Sequence, residues 1–242
     1  MTGANQPFTV PTNSGYLTLT VFFVAFLIVS DIIAVKLVPL AVGPLSLIVP
    51  AGVIAYPVTF LIADVLTEVY GIQAARNTIY LGFGATAAMV LLLLIAVALP
   101  FSAAGAPQGD FARILGQTPR IVLGSFTAYL AGELSNAQVM AALRRVTHGR
   151  ALWLRTIGST VVGQALDTSI FISIGFGAFP ALGVTGVPGA VLLHIMGSQY
   201  VVKVAVEVVG TPLVYGVVSA LGRGVARRAD AIVGSPLTGR GS

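Results

Sequence analysis

Six of the eight acidic residues in this chain lie inside long apolar stretches, and that placement restricts its folding more than anything else in it. Asp31, Asp64, Glu68, Glu133, Asp167 and Glu207 sit in such runs, whereas Asp110 and Asp230 fall in segments that read as a loop and a tail. Both lysines, Lys36 and Lys203, also lie within apolar runs or at their edges. The stretch 48–70 is the extreme case. It is long enough to cross a bilayer, which takes about 20 helical residues, yet it carries Asp64 and Glu68 one turn apart on one face. A carboxylate near the bilayer centre costs roughly 3 kcal/mol on insertion scales. Six of them would outweigh the net stability of a typical domain, about 5–15 kcal/mol. The acids must therefore pair, bind protons or face a water-filled cavity, so the chain is expected to hold a polar interior inside a membrane.

Composition agrees. Of 242 residues, 56% are hydrophobic and 9% charged, against about 25% charged in soluble domains. The net charge of +5 is read as membrane topology and not as a nucleic-acid surface, because the arginines sit where the positive-inside rule wants them. The chain has no cysteine, which excludes disulfides, thiolate metal sites and cysteine nucleophiles. No basic segment precedes the first apolar run, which argues against a cleaved signal peptide.

Six helical spans are expected, at 16–39, 48–70, 75–99, 120–143, 151–177 and 190–222, packed as one all-α bundle. The chain then divides into a loose tail over 1–14, a transmembrane transport domain over 15–223 and a basic tail over 224–242. Pro57 predicts a kink in the second span, and Gly210, Thr211 and Pro212 predict a bend in the last. One side of the membrane receives Arg76, Arg144, Arg145, Arg150, Arg223, Arg227, Arg228 and Arg240, and the other receives only Arg113 and Arg120. That asymmetry places both termini in the cytoplasm.

Helical rise, about 1.5 Å per residue, converts position into depth. It brings Glu133, Asn136, Gln164, Asp167, Lys203 and Glu207 to one layer near mid-membrane, with Asp31 slightly outside it. Asp64 falls roughly 8 Å, and Glu68 about 14 Å, towards the cytoplasmic side of their span's centre. Several helices aiming polar groups at one layer is how transporters place a substrate site, although an interhelical hydrogen-bond network would use the same residues. Lys203 and Glu207, one turn apart, admit a mutual pair or a ligand-facing couple. Glu68 and Arg76 admit a salt bridge at the mouth. Arg155 beside Trp153 admits an interfacial anchor, and Lys36 can snorkel outwards. Tyr56, Phe60, Phe126, Phe171 and Tyr200 are available to stack on a flat ligand. Asp64, Glu68, Lys36 and Arg155 are the candidates for gating or coupling. An intramembrane enzyme is disfavoured, since neither GxGD nor HExxH is present, and no catalytic residue, metal site or cofactor is expected.

Five segments carry a family resemblance: SDIIAVKLV (30–38), DVLTEVYG (64–71), GELSNAQVM (132–140), LWLRTIGSTVVGQALDTSIF (152–171) and KVAVEVVGTPLVY (203–215). Spread over five of the six expected spans and in order, they resemble the queuosine precursor transporters, also described as vitamin uptake transporter-like proteins. One departure is Asp31, where the family usually has Asn. The resemblance implies inner-membrane import of 7-deazaguanines such as preQ0 and preQ1 for tRNA modification. It also implies a fold similar to the substrate-binding components of energy-coupling-factor transporters, and a homodimer. A role as such a component for another vitamin is the alternative. The chemistry is compatible: a guanine-like edge offers two parallel N–H donors that a carboxylate accepts, and a ring carbonyl that Lys, Asn or Gln can serve. The aminomethyl cation of preQ1 would favour a second carboxylate. On this reading the substrate contacts are Asp31, Glu133, Asn136, Gln164, Asp167, Lys203, Glu207 and Tyr56.

Overall fold

In the computed structural model, which describes residues 14–102, 105, 107–147 and 152–233, the chain is mostly helical. Helix α1 (Ser14–Ile33) is followed by two strands, β1 (Leu37–Val42) and β2 (Leu45–Pro50), and a short 3-10 turn over Ala51–Ile54. Then come α2 (Tyr56–Tyr70), α3 (Ile72–Ala98), α4 (Gln108–Leu115), α5 (Thr118–Val146), α6 (Leu152–Phe176) and α7 (Gly189–Val233). Among the described residues, three helical stretches are long and apolar enough to cross a membrane: Ser14–Ile33, Ile72–Ala98 and Gly189–Gly210. Val161–Phe176 of α6 is apolar but shorter.

The hairpin corrects the expected first and second spans. Leu37 pairs with Pro50 and Val42 with Leu45 in an antiparallel ladder, closed by Gly43 at φ +58° followed by Pro44, the pattern of a II′ hairpin turn. Runs such as LVPLAV and LSLIVP are apolar but for Ser46, and without a polar period a short strand cannot be told from a helix. The hairpin is tied down at both ends. Ala51 N–H donates to the Lys36 carbonyl at 2.7 Å, and Ile48 N–H donates to the Ser198 hydroxyl of α7 at 3.2 Å. Pro57 is likewise not a mid-helix kink. It stands in the first turn of α2, where its missing N–H has no helical partner to lose. Helix α7 runs unbroken through Gly210–Pro212.

Two apolar clusters mark the ends of the packed region. The first gathers Tyr16, Phe23 and Leu27 of α1, Ile62 and Leu66 of α2, and Ala74 and Ala75 of α3. Beside it the hydroxyls of Thr20 and Thr78 stand 3.0 Å apart and Thr78 donates to Tyr16, so these three buried hydroxyls of α1 and α3 partner one another. The second gathers Ala34, Ile121, Ile172, Phe176 and Ile195, with Leu37 and Ile48 of the hairpin packed on it. Helices α5 and α6 approach closely along glycines. A Cβ at Gly124 would lie 3.2 Å from the Phe171 carbonyl oxygen, and one at Gly132 would lie 3.2 Å from Cβ of Asp167. Small residues at helix contacts are what membrane packing favours. Arg120 closes the far end of this pair by donating to the carbonyls of Ile174 (2.6 Å), Gly177 and Thr185 (3.2 Å), the first two of them at the end of α6.

The 3-10 turn presses on α1 without room for a side chain, since a Cβ at Gly52 would stand 2.6 Å from the Ser30 carbonyl oxygen. Gly52→Ala should therefore destabilise the protein by about 1–3 kcal/mol through overpacking against backbone. Gly84→Ala in α3, where nothing lies within 4 Å, should be neutral or raise stability by roughly 0.5–1 kcal/mol. Thermal unfolding of the purified protein in detergent measures both, and equal melting temperatures for the two variants would contradict this packing.

Candidate functional site: a charged cavity between five helices

Between the two clusters lies a cavity of about 200 Å³, smaller than the roughly 300–1,000 Å³ pockets that take drug-sized ligands. Its size suits a compact ligand. Helix α1 lends Ser30 and Asp31, α2 lends Tyr56, Phe60 and Asp64, and α5 lends Ser125 and Ala128. From α6 come Gln164, Asp167 and Phe171, and from α7 come Gln199, Lys203 and Val206. Pro50 at the end of β2 and Gly52 and Val53 of the 3-10 turn also line it, so the hairpin and the turn after it reach the site.

The cation of this cavity is already engaged. The Lys203 ammonium donates to Oδ2 of Asp167, and both side chains are largely buried, at 7% and 15% exposure. The same ammonium stands 5.5 Å from the centre of the Tyr56 ring, within the range of a cation–π contact. Asp31 is different. It is 3% exposed, its Oδ2 has no hydrogen-bond partner, and its carboxylate has the Ser125 side chain as a hydrogen-bonding neighbour. Gln199, 7% exposed, likewise leaves Oε1 without a partner. Two buried acceptors thus border a cavity whose lysine belongs to another acid.

Of the residues expected at the site, Asp31, Tyr56, Gln164, Asp167 and Lys203 come together here. The partner found for Lys203 among the described residues is Asp167 on α6; a pairing with Glu207, one of the two alternatives read from the sequence, falls outside them. Glu133, Asn136, Glu207 and Arg155 lie on α5, α7 and α6, and their side chains fall outside the described residues. Asp64 lines the same cavity, against the expected separation in depth. That separation was counted from a span starting at 48, but α2 begins at Tyr56, which moves Asp64 to the middle of the helix. Glu68 is exposed and forms no salt bridge with Arg76 among the described residues; Arg76 donates instead to the Tyr80 hydroxyl at 3.4 Å. Lys36 is exposed at the base of the hairpin and does not reach the cavity. Phe126 stacks on Phe83 at 4.4 Å, and neither it nor Tyr200 is in the lining. Gln199 was missed. Its signal was the four-residue spacing to Lys203, which puts both on one face of α7.

A largely helical membrane chain with a small, charged, partly closed cavity among its helices has the architecture of a small-molecule transporter. Residues 50–217 match the model of the family described as "Putative vitamin uptake transporter". The chain is 34% identical over 165 residues, 68% of its length and 69% of the relative's, to a protein of Bacillus subtilis (strain 168) named "Probable queuosine precursor transporter". It is 26% identical over 131 residues, 52% of its own length and 51% of the relative's, to a Haemophilus influenzae protein of the same name. No solved structure matches it. The chain belongs to this family of queuosine precursor transporters. The family match starts after α1, so Asp31 lies outside it.

The Lys203–Asp167 contact makes a direct prediction. Lys203→Met or Asp167→Leu alone strands a buried charge and should cost about 3–5 kcal/mol. The double variant Asp167→Leu/Lys203→Met should recover most of that loss. A double-mutant cycle on thermal stability tests it, and additive losses would show that the two groups do not depend on each other.

Proposed function

We propose that this protein imports queuosine precursors, 7-deazaguanines such as preQ0 and preQ1, across the bacterial inner membrane for tRNA modification. The observation that carries the proposal is the cavity itself: it is small and holds aromatic faces from Tyr56, Phe60 and Phe171 beside a buried acid, Asp31, that no cation among the described residues pairs with. A flat bicyclic ring stacks on such faces, and its N–H edge supplies the donors that a buried carboxylate lacks. The names of the two relatives point to the same cargo. As a transporter the protein is not an enzyme.

We read helices α1, α2, α3, α5, α6 and α7 as six spans in one bundle, and the arginine distribution supports both termini in the cytoplasm. On that sidedness the hairpin and the Arg120-capped loop face outwards. Asp64, an exposed member of the lining about 12 Å along α2 from Tyr56, then lies on the cytoplasmic side of the cavity. With Glu68 one turn further on, it supports a release path to the cytoplasm. The kinship with energy-coupling-factor components rests on sequence resemblance.

Uptake of labelled preQ0 and preQ1 into a bacterium unable to synthesise them tests the proposal. Cells expressing the protein should accumulate label, and Asp31→Ala should lower accumulation at least tenfold at equal protein in the membrane. No accumulation with the unaltered protein would contradict the proposed cargo.

A further inference from the structure

The second apolar cluster serves as a depth marker for the cavity. Ala34, Ile121 and Ile195 pack together in it. One helical turn away from each, three residues back on α1 and four residues on along α5 and α7, stand Asp31, Ser125 and Gln199. Residues three or four apart share a helix face, so these three side chains occupy one layer directly beneath the cluster, and all three line the cavity. Within that layer Asp31 Oδ2 and Gln199 Oε1 are both buried and without a partner. Lys203, a further turn along α7, is held by Asp167. Its ammonium has three N–H donors, so it retains donors for a neighbouring acceptor while bound to that acid.

The layer therefore presents acceptor, acceptor and then donor. A buried acceptor left unpaired carries its full desolvation penalty, and a ligand recovers that cost only by bringing a donor to each oxygen. Resting on the functional reading above, we propose that Asp31 and Gln199 form the specificity pair of the cavity. Together they read a ring N–H and the adjacent exocyclic amine of a flat bicyclic ligand, while Lys203 serves the neighbouring ring carbonyl. An analogue lacking the exocyclic amine leaves one buried oxygen unserved and is rejected for that reason. Gln199 acts here as a specificity residue.

The test is calorimetric binding of preQ0 and of its 2-desamino analogue to the purified full-length protein. The unaltered protein should bind the desamino ligand roughly 10–100-fold more weakly, the penalty of one unpaired buried acceptor. Gln199→Met keeps the bulk and removes the acceptor, so the ratio should fall towards one through loss of affinity for preQ0 alone. Gln199→Glu keeps an acceptor and should retain discrimination, and Asp31→Leu, which removes one, should reduce it. A structural role would weaken both ligands by the same factor. A ratio within twofold of one for the unaltered protein, or an unchanged ratio in Gln199→Met, overturns the specificity pair while leaving the transport reading in place. Binding of neither ligand by the unaltered protein overturns both.

Discussion

Lys203 and Asp167 meet inside the helical bundle, 36 residues apart in the chain, and the placement of the remaining cavity groups follows from that contact. Neither ion would tolerate its position alone, because the desolvation of an unpaired charge exceeds what packing returns. The pair holds α6 against α7, and Tyr56 beneath the ammonium brings α2 to the same point. Gly132 lets α5 come within contact of the Asp167 side chain. With the lysine engaged, Asp31 is left as a buried acid with no cation partner among the described residues and an oxygen to offer. The ion pair thus orders the site, and Asp31 makes it receptive to a donor-bearing ligand.

Closure at one end depends on backbone hydrogen bonding. In a bilayer every N–H and C=O must find a partner within the protein. The hairpin pairs its inner edges by its own ladder, and one further N–H, that of Ile48, donates to Ser198 of α7. The α6–α7 connection draws on Arg120, whose guanidinium serves three carbonyls and lies 5.5 Å from the centre of the Phe179 ring. An arginine beside the carbonyl end of a helix is also favoured by the helix dipole. A short strand pair and a single side chain thereby seal the cluster beneath which Asp31 and Gln199 sit.

Much of the site was legible in the sequence because ionisable groups within apolar helices are expensive and therefore conspicuous. Asp31, Asp167 and Lys203 stood out on that ground alone, and the matching families of motifs placed them on different helices. The partner of Lys203 was not legible. A neighbour one turn away in the same helix is visible in the sequence, but a partner on another helix requires knowing how α6 and α7 pack. Gln199 escaped because an uncharged amide in an apolar helix is less conspicuous than an ion and reads as an interhelical hydrogen-bonding group until its face is known. The hairpin escaped because residues 37–50 are apolar but for Ser46, leaving no period to separate strand from helix. Pro57 marked a boundary, and reading it as a kink displaced Asp64 from the cavity it lines.

The central claim is that a ligand sits between these helices, against α5 and beneath the second cluster. The chain lacks cysteine, so a single introduced thiol reports its surroundings without background. Ala128→Cys places the thiol on the cavity wall, and Gly109→Cys places one on α4, away from it. The measurement is the rate of modification of each by a small water-soluble thiol reagent, with and without saturating preQ1. The account predicts that preQ1 slows modification at position 128 at least tenfold and leaves position 109 unchanged. Equal protection at both positions, or none at 128, would contradict it.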